Sequence, residues 1–84
     1  MNLEITPEDK IIINQQKIKS ANQSVYSLTI EARVAKISED DQAKQRIEKE
    51  LAKMLKAIDI YNAEIESARK ELHGNDTDNA NIGT

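Results

Sequence analysis

The sequence predicts an all-α protein: an antiparallel two-helix hairpin of coiled-coil type that assembles further into a helical bundle. Three observations predict it. Core-type residues recur in heptads along two stretches of similar length, from Ile11 through Ile18, Val25 and Ala32 to Ala35, and from Lys44 through Leu51, Ile58 and Ile65 to Leu72. The heptad phase breaks between the two stretches, at the acidic segment Ile37-Ser38-Glu39-Asp40-Asp41. Charged residues make up 32% of the chain against one Pro and two Gly, a balance that favours long helices over a sheet with turns.

Register separates a hairpin from one continuous helix. Carrying the first heptad forward puts its a positions at 39, 46 and 53, whereas the second stretch has them at 44, 51 and 58. That shift of five residues matches neither a stammer of three nor a stutter of four, and a chain reversal explains it better. Reversal pairs Ile11 with Ala68, Ile18 with Tyr61, Val25 with Met54 and Ala35 with Lys44, with the midpoint at Glu39–Asp40. Most alanines then meet a larger side chain. The flanking charges agree, since Lys10 comes near Glu71, Lys17 near Glu64 and Lys36 near Glu48; Glu31 near Glu50 is the mismatch.

Each element has its own signals. Helix 1, about 7–37, opens at Thr6-Pro7-Glu8-Asp9: a hydroxyl cap, a proline at the first helical position and an acid at the third. Leu3 and Ile5 are candidates for a hydrophobic staple ahead of it. The turn occupies about 38–41, with Ser38 the expected cap of the next helix and Glu39, Asp40 and Asp41 at its positive end. Helix 2, about 41–73, is expected to stop at Leu72-His73-Gly74, because glycine is favoured just past a C-terminus. Residues 1–73 thus form one domain, and 74–84 read as a flexible polar tail without periodicity. Asn14, a polar residue on the seam, either sets register or sits partly wet in a fraying end.

Little in the chain points to chemistry. Cysteine is absent, which removes disulfides, zinc knuckles and thiol nucleophiles. The single histidine, His73, suits the negative end of a helix and has no neighbouring nucleophile or orienting partner. Glu39, Asp40, Asp41, Glu48 and Glu50 have the spacing of a helix start and a solvated face. Asp76-Thr77-Asp78 opens like a calcium loop, but Ala80 and Ile82 break the ligand series. Gly74 and Gly83 stand alone, so no phosphate-binding motif is present. No enzyme activity, catalytic residue, cofactor or metal site is expected. The longest apolar run, Ile11-Ile12-Ile13, is far short of a membrane span, and no signal peptide is visible. The expected location is cytoplasmic, or host cytoplasm or virion for a phage-encoded chain.

One seam is too little for an 84-residue chain. Ordering costs on the order of 1.5 kcal/mol per residue, which roughly cancels the burial that one seam provides. A second apolar surface is therefore expected, and Tyr26, Ile30, Val34 and Ile37 of helix 1 with Leu55 and Ile60 of helix 2 are its candidate residues. The expected function is a non-enzymatic assembly or adaptor protein acting by protein–protein contacts, with itself or a larger assembly as partner. A small structural or accessory protein of a bacteriophage is the expected setting. The alternative is a small inhibitor that occludes a partner's surface.

A further alternative comes from Lys10, Lys17, Lys19, Arg33 and Lys36 of helix 1, with Gln15, Gln16, Asn22 and Gln23 between them. In architecture (hairpin, acidic turn, polar tail) the chain resembles the Rop-type plasmid copy-control proteins. That resemblance implies a hairpin dimer that binds RNA through a polar helix face. No shared motif carries RNA-contacting residues onto this chain. Glu8, Asp9 and Glu31 dilute the basic residues, and the net charge is −3, so nucleic acid is not the expected partner.

Overall fold

The computed structural model describes residues 4–83, with side chains as far as His73. Two helices account for it, α1 over Pro7–Ile37 and α2 over Asp41–Gly83, folded back on each other as an all-α helical hairpin.

The start of α1 follows from three adjacent residues. Thr6 is extended, at φ −69° and ψ 157°, and its Oγ1 accepts a hydrogen bond from the Asp9 N–H at 3.1 Å. The Thr6 carbonyl accepts from the Lys10 N–H at 2.9 Å and opens the helical ladder. Pro7 takes the first helical position, where a missing N–H costs nothing. Glu8 and Asp9 place negative charge at the positive end of the helix. Of the two staple candidates, Leu3 lies outside the described residues and Ile5 is exposed.

The turn is tighter than its sequence suggests, and its capping differs. Ser38 closes α1 instead of capping α2: it is right-handed helical at φ −81°, and its N–H donates to the Val34 carbonyl at 2.9 Å. Glu39 then enters the left-handed region at φ 57°. Its N–H donates to the Lys36 carbonyl at 3.2 Å, and the Asp40 N–H donates to the Ala35 carbonyl at 2.9 Å. Those two bonds form a Schellman motif, which satisfies carbonyls that the end of α1 leaves free. Asp40 is the cap of α2, its Oδ1 accepting from the Ala43 N–H at 3.0 Å and its carbonyl from the Lys44 N–H at 3.0 Å. Serine and aspartate cap about equally well, so the backbone decides: with Ser38 still helical in α1 and Glu39 left-handed, Asp40 is the residue that stands directly before α2.

Packing follows the heptads. On α1, Ala21 and Ala35 are buried, and Ile11, Asn14, Ile18, Val25, Leu28 and Ala32 are half-buried. On α2, Ile47, Ile65 and Ala68 are buried, and Leu51, Met54, Ile58, Tyr61 and Leu72 are half-buried. Lys44 at the turn end is exposed, with Ala43 half-buried beside it. The polar residues near the seam are satisfied locally. Asn14 Nδ2 donates to the Lys10 carbonyl at 2.8 Å and Thr29 Oγ1 donates to the Val25 carbonyl at 2.8 Å, both within α1. Asn14 therefore makes no hydrogen bond across the seam that would set register.

Helix α2 carries its backbone past Gly74 to Gly83 rather than stopping at His73. A glycine inside a helix costs about 1 kcal/mol relative to alanine, too little to force a stop. The side chains of 74–83, where a polar tail was expected, lie outside the described residues, as does residue 84.

Candidate protein interface

Two flanks run along the seam, and their contacts define them. The first is fixed by an ion pair at the open end, where Lys10 Nζ lies 3.2 Å from Glu71 Oε1 and 3.3 Å from Oε2. One heptad in from each partner come Lys17 and Glu64, and a heptad further Ser24 and Ala57, then Glu31 and Glu50. The second flank carries Gln15, Asn62 and Arg69, which share a groove with the seam residues Ile18 and Ile65.

The first flank is an open trough rather than a closed edge. Its first stretch is lined by Ile13, Lys17, Ser20, Ser24, Met54 and Tyr61. Ser20, Ser24 and Met54 continue into a second stretch with Ser27, Leu28, Glu31 and Glu50. Glu31 leads into a third, where Ile30, Val34, Ala35, Arg46 and Ile47 line the wall near the turn. Small side chains at Ser20, Ser24 and Ser27 leave the apolar faces of Leu28, Met54 and Tyr61 reachable from solvent. Glu31 and Glu50 line the same stretch as like charges, as the sequence register requires.

The charged pairs are fewer than the register allows. Among the described residues the ion pairs are Lys10–Glu71 across the hairpin and Glu66–Arg69 within α2, the latter at 3.4 Å. Lys17–Glu64 and Lys36–Glu48 are not at ion-pair distance. Long side chains on exposed positions keep their rotamer freedom unless geometry holds them, which accounts for the difference.

All six sequence-predicted interface residues are exposed, with Tyr26 at 69% and Ile37 at 84% the most open on α1. They do not form one patch. Ile30 and Val34 line the trough, whereas Tyr26 lines a shallow groove on the opposite side with Gln15, Ile18, Lys19 and Asn22. Ile37 projects beside the turn. Leu55 lies one heptad before Asn62 and so shares the Tyr26 flank, while Ile60 stands one turn beyond Ala57 on the trough side. The residues that sequence reasoning passed over are Ser20, Ser24 and Ser27. Their only signal is a set of small residues at helical spacing beside the seam, which is easily taken for a solvated face.

The groups considered for chemistry stand apart. His73 and the carboxylates of Glu39, Asp40, Asp41 and Glu48 are exposed, and among the described residues no group of three or more His, Cys, Asp or Glu could hold a metal ion. The basic residues divide between flanks: Lys10 and Lys17 border the trough, and Lys19, Arg33 and Lys36 follow the Tyr26 side by their spacing. Glu48, Asp59 and Glu66 of α2 share that second side and offset them. Among the described residues, no helix is long and apolar enough to cross a membrane. No family model, curated protein or solved structure matches the chain.

Proposed function

We propose that this chain is a non-enzymatic helical assembly or adaptor protein that acts through protein–protein contacts, with itself or with a larger assembly. The observation that supports it is the open seam. The described hairpin is a single layer of helices, 15 Å in its thinnest dimension, whereas stable domains close a core between at least two layers. Most of its apolar seam stays half-buried, and among the described residues Ile47 is the only large side chain that is fully enclosed. A core cut open along its length is what obligate interfaces look like when one side is removed.

The proposed setting, a small structural or accessory protein of a bacteriophage, rests on composition alone, a cysteine-free and aromatic-poor hairpin. Its test is whether peptides of the chain occur in purified particles.

The assembly role is tested by mass in solution and by partner capture, with wild type against Ile30→Asp combined with Val34→Asp. Both residues are exposed, so the double variant is expected to keep its helicity while losing its oligomer or its partner. A chain that stays monomeric at high concentration, and whose captured partners are indifferent to the double variant, would sink the proposal.

A further inference from the structure

We infer, on the basis of the assembly role proposed above, that the trough is covered by a second copy of this chain. In that dimer α1 lies antiparallel on α1 of the second copy, centred on Ser24.

Area permits it. At 1.5 Å per residue α1 is about 46 Å long, and two helices side by side span about 20 Å, so the trough face offers roughly 900 Å² per copy. Two such faces bury roughly 1,800 Å², the size of an ordinary stable interface. The trough side also has the closer approach. Ser24 and, one heptad after Glu50, the half-buried Ala57 occupy its middle, where the opposite flank presents the larger Asn22 and Leu55.

Charge and side-chain size supply the register. Lys17 lies one heptad before Ser24 and Glu31 one heptad after it, so reversal about Ser24 sets Lys17 against Glu31 of the second copy, twice by symmetry. Ser20 and Ser27 stand one turn out on either side and pair as small with small. Ile13 and Val34, both exposed, stand about three turns out and close the ends of the α1 pair with apolar contact. On α2, Ala57 meets Ala57. Glu50 there comes opposite Glu64 of the second copy, with Lys53 within a turn of Glu50 on the same helix.

The competing arrangement has both turns at the same end. It stacks Glu31 and Glu50 of both copies into one layer of four carboxylates, and it pairs Ser24 with Ala57 rather than with itself. Like charges crowded into one interface layer disfavour that arrangement.

Two charge reversals separate the arrangements without threatening the fold. Glu31→Lys and Glu50→Lys relieve the same repulsion within the hairpin. In the antiparallel dimer Glu31→Lys sets two lysines together and is expected to raise the dimer dissociation constant about tenfold, and Glu50→Lys to lower it by a similar factor. With both turns at one end, both reversals tighten the dimer. Sedimentation equilibrium on the full chain reads these shifts. In parallel, Ser24→Cys treated with a short bifunctional maleimide is expected to give a covalent dimer, and Lys17→Cys to give none. Opposite shifts with crosslinking at Ser24 support the antiparallel dimer. A dimer whose two reversals shift in the same direction, or that fails to crosslink at Ser24, overturns it and leaves the assembly role standing. A wild-type chain that stays monomeric throughout the measured range also overturns it, and the assembly role is then judged on partner capture alone.

Discussion

Lys10 and Glu71 stand 61 positions apart in sequence, yet Lys10 Nζ approaches Glu71 Oε1 to 3.2 Å, tying the first turn of α1 to the far part of α2, twelve residues before its end. Both side chains remain partly open to water, at 39% and 47% exposure, so the pair selects orientation more than it stabilises. A double-mutant cycle on Lys10→Ala and Glu71→Ala is expected to give a coupling of about 0.2–1 kcal/mol that falls with added salt. Zero coupling at low salt would show that the helix ends splay in solution.

Glu39 is the one non-glycine residue at positive φ among the described residues. A side chain with a Cβ costs about 1–2 kcal/mol in the left-handed region, and glycine does not carry that cost. Glu39→Gly is therefore expected to stabilise the hairpin by about 1 kcal/mol, raising its melting temperature by about 4–8 °C. Ser38→Gly, at a right-handed position, is expected to lower it. The order of the two melting temperatures decides the matter.

Asp40 carries the cap of α2, so Asp40→Ala is expected to cost about 1 kcal/mol in denaturant unfolding. Ser38→Ala removes no capping bond and is expected to stay within about 0.5 kcal/mol of wild type. Were Ser38→Ala the more damaging change, the left-handed turn at Glu39 would be the wrong description.

Ile47 is 1% exposed and closes the seam nearest the turn. Ile47→Ala is expected to cost about 2–5 kcal/mol, enough to unfold a hairpin with so small a core. Ile60→Ala, at an exposed position, is expected to leave helicity by circular dichroism unchanged. Equal losses from both would place Ile60 inside an interface that holds the hairpin together.

The pairing of the helices was legible in the sequence because the heptad signal is redundant. Seventeen seam positions vote on one register, and a single deviation such as Lys44 does not move it. The cap was not legible, because Ser38-Glu39-Asp40-Asp41 offers several good caps in a row and only the backbone angle at Glu39 chooses among them. Grouping the exposed apolar residues failed for a related reason. Ile12, Ile13, Tyr26, Ile30, Val34 and Ile37 are spread around α1, so spacing alone does not say which flank each joins. That depends on how far each helix is rotated about its axis in the hairpin. The trough was missed because serines at helical spacing look like a solvated surface until Met54 and Tyr61 are seen behind them.

The short link between the helices also acts as a phase lock. Ser38, Glu39 and Asp40 each have a bond to make, and none is spare. Inserting one residue after Glu39 turns everything beyond it by about 100° around the axis of α2. Ile47, Ile65 and Ala68 would swing together from the seam toward solvent. The angular setting of a whole helix is held by a three-residue hinge, and a change there repositions surfaces as far away as Glu71 without altering any residue on them.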